Sequence, residues 1–217
     1  EPYTIEHGFG YTSFHHQSHG IEQELVQFVP VKGTVKISKI SLRNISQENK
    51  NLTLTYYMTP ILGVSMSETG MHVVSSQTED GTLMIENPYN REFADKVCFM
   101  DASIKARTVT GDRKEFFGRG GMDSPEALKH SALSGTTGSG YDPCGAMQVK
   151  VSLGAMETKE ILFIMGMADS QVEALELASR FKTIQQAKDA LAEVELFWKN
   201  KLQVVKVETP DPSMNIL

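Results

Sequence analysis

The chain has 217 residues, 40% of them hydrophobic and 22% charged, with a formal net charge of −6 at pH 7. That balance is the balance of a folded globular protein rather than a disordered one. The acidic charge argues against a nucleic-acid backbone as partner, and no apolar run approaches the length of a membrane span. Glu1 opens the chain with neither a Met nor a signal-like segment. That start is expected of a piece cut from a longer polypeptide. Cys98 and Cys144 are the only cysteines. A large domain rarely depends on one disulfide, so two separate reduced thiols are the favoured reading.

In chain order, residues 9–60 read as a β meander. Ile21, Leu25 and Val29 share one strand parity and Pro30 closes the run. Val35 and Ile37 lie on one parity and Ile40 and Leu42 on the other. That switch demands either a bulge near Ser38-Lys39 or a strand buried on both faces. Leu52, Leu54, Tyr56 and Met58 then alternate with Thr53, Thr55, Tyr57 and Thr59, the cleanest strand pattern in the chain.

Between Asn87 and Gln148 the composition changes to N-P-Y-N-R-E-F (87–93), T-G-D-R-K-E-F-F-G-R-G-G (110–121) and S-G-T-T-G-S-G-Y-D-P-C-G (134–145). Arginines, carboxylates, glycines and aromatics mix too densely here to be read as core, so a long functional loop layer is expected. Planar Arg forks beside carboxylates and rings suit a sugar cleft or a polar domain interface.

Alternation returns at Met147, Val149, Val151 and Leu153, and Ile161 to Met167, apolar on both faces, predicts a central strand. Strands joined by short polar turns predict an antiparallel sandwich. Ser170 with Glu173 and Thr183 with Gln186 are capping-box pairs that predict helices over 172–181 and from 184 to 202. In the second helix Ile184, Ala187, Leu191, Val194 and Trp198 form an apolar stripe that places Trp198 in a core. The strand-like V-V-K-V at 204–207 leads into T-P-D-P at 209–212, a linker signal.

No catalytic constellation emerges. His7, His15, His16 and His19 crowd the start of the chain, but of the neighbouring three only His15 and His19 share parity, about 13 Å apart along a strand, and no carboxylate completes a metal site. Neither a metal nor a cofactor is therefore expected. The glycine clusters lack a phosphate-loop pattern. Asp112 and Glu115 could form a glycosidase pair, but Arg113 and Lys114 lie between them, which points to a solvated or salt-bridged loop. The candidate aromatic platforms are Tyr11, Tyr89, Phe93, Phe116, Phe117 and Tyr141, of which half or more are expected to be buried.

H-G-F-G-Y-T (7–12), N-P-Y-N-R-E-F (87–93), T-G-D-R-K-E-F-F-G-R (110–119), L-S-G-T-T-G-S-G-Y-D-P-C (133–144) and T-P-D-P (209–212) together resemble glycoside hydrolase family 94. Within it they are most similar to cyclic β-1,2-glucan synthases and β-1,2-oligoglucan phosphorylases. The resemblance implies a mainly β fold, an antiparallel β-supersandwich of the galactose-mutarotase type, over residues 1–168. Linker helices over 169–203 and a linker over 204–217 would lead to a catalytic helical toroid outside this sequence. In that family the toroid supplies the general acid and the phosphate site, so no catalytic residue carries over. The candidate sugar- or interface-binding residues are Tyr11, Tyr89, Arg91, Asp112, Arg113, Glu115 and Arg119. The expected partners are the protein's own C-terminal catalytic domain, a β-glucan or oligosaccharide, and a second copy in a homodimer. The expected location is the cytoplasm, in a parent protein that can itself be membrane-associated. Two further readings stay open: a free-standing carbohydrate-binding module, and a purely structural scaffold.

Overall fold

Among the described residues, eight strands in one sheet face three in the other, and that mismatch organises the molecule. The computed structural model describes residues 2–203 and 208–215; the strand-like 204–207 segment lies outside them. Strands β1 (Thr4–Gly8), β2 (Tyr11–Ser18), β3 (Ile21–Phe28) and β4 (Val35–Asn44) form the expected meander, which starts one strand earlier than the alternation indicates. Strand β5 (Lys50–Met58) crosses to the second layer, and a single-turn helix α1 (Met66–Thr69) follows. Strands β6 (Val74–Gln77), β7 (Leu83–Glu86) and β8 (Val97–Ala102) return to the large sheet, and β9 (Arg107–Asp112) goes to the small one. After the short helix α2 (Arg113–Phe117) come β10 (Pro143–Leu153), central in the small sheet, and β11 (Thr158–Ala168), central in the large sheet between β4 and β8. All strand pairings among the described residues are antiparallel.

The parity switch in β4 comes from burial on both faces, not from a bulge: its register with β3 and β11 is unbroken. Val35 and Ile37 point to one side, against the C-terminal helices. Leu42 points to the other, into the sandwich core with Phe163, Met147 and Val149, and Ile40 packs against that core. The same division puts Leu162 and Ile164 of β11 under the helices and Ile161 and Phe163 in the sandwich. Each fully buried side chain of this kind stabilises the fold by about 1.5–3 kcal/mol.

Helices α3 (Gln171–Arg180) and α4 (Ile184–Leu202) lie on the outer face of the large sheet. Thr183 and Gln186 make the complete reciprocal cap. At α3 the Ser170 side chain accepts from the Glu173 N–H, but the Glu173 carboxylate reaches one residue further back, to the Asp169 N–H at 2.8 Å. The stripe of α4 buries Ala187, Ala190 and Val194, while Trp198 remains 39% exposed, contrary to its expected place in the core. The last turns of α4 reach the β1–β2 hairpin at the edge of the large sheet, where Trp198 borders a groove.

The segment 87–148 also departs from expectation. It contains β8 and β9, and Phe99, Met100, Ala102 and Val109 are fully buried. V-C-F-M-D-A is covered on both faces, so it shows no alternation to read. The glycine-rich 134–138 run is docked against strands rather than free: Gly111 N–H donates to Thr136 O at 2.7 Å, Gly135 N–H to Val109 O at 2.9 Å and Ser75 N–H to Gly138 O at 3.0 Å. Gly111 is needed there, since a Cβ would fall 2.1 Å from Ser75 Oγ. The molecule thus has four layers: loops, small sheet, large sheet and helices.

Candidate functional site

Four of the five charged candidates, Asp112, Arg113, Glu115 and Arg119, gather around α2, on the outer face of the small sheet. This helix is held down by Phe116, which is buried with Cys144, Ala146 and Leu133 and stacks on Tyr57 at 4.7 Å. Asp112 is its N-cap, with Oδ1 accepting from Lys114 N–H at 2.9 Å. Glu115 Oε2 accepts from the Thr110 hydroxyl at 3.2 Å. Both carboxylates therefore secure the helix, an arrangement unlike an acid/base pair facing a cleft.

Arg113 finds its partner outside the motif that contains it. Its Nε donates to Asp142 Oδ2 at 3.0 Å and its Nη2 lies 2.9 Å from the same oxygen. The Arg113 N–H also donates to Asp142 O at 2.7 Å. The hydrogen bond to Asp142, followed by its charge, holds the guanidinium pKa above its ordinary value. Beside this pair lies a shallow depression of about 220 Å³ lined by Met66, Met71, Lys114 and Tyr141. Arg119 is exposed on the following 3-10 turn and makes no ion pair or hydrogen bond among the described residues.

Tyr89 and Arg91 sit on a separate turn. Tyr89 is 73% exposed and stacks on His72 at 3.9 Å between centroids. Its backbone is set by Asn87, whose buried amide donates to Leu62 O at 2.7 Å while its Oδ1 accepts from Tyr89 N–H. Arg91 points to solvent unpaired among the described residues. Of the remaining aromatic candidates, Phe116 is buried, Phe93 and Phe117 pack against apolar clusters, and Tyr141 is exposed.

Tyr11 belongs to a different surface, a groove of about 740 Å³ between the β1–β2 hairpin, the end of β3 and the last turns of α4. Tyr11, Phe28, Val194, Phe197 and Trp198 supply its apolar wall, and His7, Gln27 and Lys36 its polar one. Two glycines seat the rings. A Cβ on Gly8 would fall 2.3 Å from the Tyr11 ring, and one on Gly10 would fall 2.4 Å from Trp198 Cδ1. The helical stripe hid this groove, because periodicity reports which residues share a face but not whether anything lies opposite.

A buried ion pair is the other feature absent from the motif reading. Asp101 and Arg107 have side chains 1% exposed, with Arg107 Nη2 at 2.6 Å from Asp101 Oδ1. Arg107 Nε donates to Gly81 O and its Nη1 to Ile104 O, each at 3.0 Å, and its Nη2 also donates to Asp80 O. Lys182, from the α3–α4 connection, lies 2.9 Å from Asp101 Oδ2. This network joins β8, β9, the β6–β7 turn and the helical layer, and its ion pair is closed to solvent. The two thiols are free, as expected, and burial pushes the Cys98 pKa up to about 11 and that of Cys144 up to about 12.

A two-layer antiparallel sandwich backed by helices is the architecture of a supersandwich module. Residues 1–184 match the glycosyl hydrolase 94 supersandwich domain, and the chain belongs to that family. Over 98% of its length it is 30% identical to the cyclic beta-(1,2)-glucan synthase NdvB of Rhizobium meliloti (strain 1021), spanning 8% of that protein. It is 24% identical over 92% of its length to the cellobionic acid phosphorylase of Neurospora crassa, of which it spans 26%. It is also 24% identical over 99% of its length to a 3-O-beta-D-glucopyranosyl-beta-D-glucuronide phosphorylase of Paenibacillus borealis, spanning 29%. The crystal structure of a bacterial glucoamylase complexed with acarbose shares the fold, with a TM-score of 0.61 at 11% identity over 93% of this chain and 28% of that one. No helix among the described residues is long and apolar enough to cross a membrane.

Proposed function

We propose that this chain is the non-catalytic N-terminal domain of a larger enzyme that makes or phosphorolyses β-glucan. Its task there is to shape the cleft and to hold the catalytic domain in place. One observation carries the reading: the alignment to NdvB takes in 98% of this chain but only 8% of that protein. The local geometry agrees, since Asp112 and Glu115 are engaged in holding α2. Residues 1–168 would be the sandwich, 169–203 the connecting helices and 204–217 the passage to the catalytic domain. The loop layer around Arg91, Arg113 and Arg119 and the Trp198 groove are the two faces offered to that domain, to a second copy or to glucan. A parent of this kind would act in the cytoplasm, either free or attached to a membrane.

The test compares the purified 217-residue chain with the full-length parent on glucose 1-phosphate, phosphate and β-1,2-glucan. The fragment is expected to be silent and the parent active. Turnover by the fragment that disappears in Asp112→Asn or Glu115→Gln would overturn the proposal. A second reading, a carbohydrate-binding module, is favoured by the exposed Trp198 ring beside Tyr11. Titration with β-1,2-glucan oligomers, followed through Trp198 fluorescence, separates it from a purely structural scaffold.

A further inference from the structure

The depression beside α2 combines apolar walls with polar groups that have no partner. It holds about 220 Å³ and is bordered by α1, α2 and the start of β10. Met66, Met71 and the half-exposed ring of Tyr141 line it, and Gly70 and Gly140 add bare backbone. A Cβ on Gly140 would meet nothing within 4 Å, so the space beside it is open. An apolar lining with a few converging polar groups is the usual make-up of a small-molecule site.

Two such groups converge here. Arg113 Nε and Nη2 both meet Oδ2 of Asp142, which leaves Oδ1 without a partner among the described residues on a side chain that is 21% exposed. Lys114 gives its backbone N–H to Asp112, but its exposed ammonium group forms no ion pair among the described residues. This combination selects the ligand. A phosphate or carboxylate would be repelled by Asp142, and a metal ion by Lys114 and Arg113. A hydroxyl group both donates and accepts. A neutral polyol therefore satisfies the carboxylate and the ammonium together, through charge-assisted hydrogen bonds.

A second aromatic ring borders the same surface. Met71 lines the depression, and the next residue, His72, stacks on Tyr89 at 3.9 Å. Tyr89 stays 73% exposed although its turn is fixed by the fully buried Asn87, whose amide donates to Leu62 O. A ring so exposed contributes little to the domain's own core. With one face on His72, it offers the other to the C–H face of a pyranose, as an aromatic body with a polar tip does.

We propose that this surface is a non-catalytic glucan-binding site. A glucosyl unit enters the depression against Tyr141 with its hydroxyls bonded to Asp142 Oδ1 and Lys114, and a neighbouring unit packs on Tyr89. The proposal rests on the reading of the chain as an accessory domain of a β-glucan enzyme, and it places sugar on the loop layer rather than in the Trp198 groove. Among the described residues Asp142 is the only carboxylate lining the depression, so the site has no acid/base pair and holds glucan without cleaving it.

The experiment is titration of the isotope-labelled 217-residue chain with β-1,2-gluco-oligosaccharides, followed by NMR. Saturable shifts are expected at 66–72, 89, 114 and 140–142. Tyr141→Ala, Tyr89→Ala and Lys114→Ala should each weaken binding by about two- to tenfold, and Trp198→Phe should leave it unchanged. The three replaced side chains are exposed, so the fold should survive each change. In the full-length parent the same three variants should raise the KM for long β-1,2-glucan by a similar factor, with kcat and the KM for glucose 1-phosphate unchanged. Shifts confined to the Trp198 groove, undiminished affinity in the tyrosine variants, or no saturable binding would overturn the proposal and leave the accessory-domain reading standing. Variants that bind glucan normally but break assembly of the parent would make this a protein-docking face instead. Glucan turnover by the isolated chain would strike the accessory-domain reading itself.

Discussion

Replacing Arg107 with Met should be among the most damaging single substitutions in this domain. The side chains of Asp101 and Arg107 are both 1% exposed, so neither charge has water to fall back on. Removing the guanidinium strands the Asp101 carboxylate and takes donors from the carbonyls of Gly81, Asp80, Ala102 and Ile104. Breaking a buried pair from one side costs about 3–5 kcal/mol. Lys182, 2.9 Å from the other carboxylate oxygen and 30% exposed, offsets a part of this, so the lower half of that range is expected. For a domain of this size 1 kcal/mol moves the melting temperature by about 2–4 °C, which gives a fall on the order of 6–16 °C by calorimetry. The exposed Arg43–Glu22 pair is the control: its side chains are 51% and 45% exposed, so Arg43→Met should cost under about 1 kcal/mol. The double variant Asp101→Leu/Arg107→Met should recover a large part of the loss, because an apolar pair needs no compensation. If Arg107→Met melted within about 2 °C of the parent chain, the pair would not be a structural clamp and the reasoning would fail.

The Cys98 and Cys144 thiols, raised by burial to about 11 and about 12, should resist alkylation at pH 8 in the folded chain and react at once in denaturant. A raised folded-state pKa also means that the unfolded chain loses these protons first. Stability should therefore fall as pH rises from about 9 towards 11–12, and a double Cys→Ala variant should lose that slope. Gly10→Ala places a methyl group at a φ of +87° and 2.4 Å from the Trp198 ring. It should cost about 1–2 kcal/mol from the backbone alone and shift the emission of the single tryptophan to the red; an unshifted spectrum would remove Trp198 from the hairpin. Asn44 is fully buried and donates to Glu48 O at 2.7 Å and Gly154 O at 2.8 Å while accepting from Ser46. Asn44→Ala should cost about 2–4 kcal/mol in urea titration, and a loss under about 1 kcal/mol would show that these turns hold themselves.

Local chemistry made part of this protein legible in its sequence. The alternations at 52–58 and 147–153 both appear as strands, β5 and β10, whose apolar parity packs into the sandwich core. The apolar run at 161–167 is a central strand because both of its faces are covered. The helix starts at Ser170 and Thr183 follow from side chains that satisfy the first free N–H groups of the helix. Ordered motifs spread along the chain were enough to indicate the family and its sandwich. Tertiary structure decided the rest. V-C-F-M-D-A carries no period, since burial on both faces erases the contrast that periodicity needs, and β8 emerges only when β11 and β7 are beside it. The partner of Arg113 is Asp142, 29 residues away, because β9 and β10 pair and bring the two loops together. Trp198 stands at a groove because the last turns of α4 meet the β1–β2 hairpin at the edge of the large sheet. A sequence records which face a residue shares; only the assembled layers determine how far the opposing surface extends.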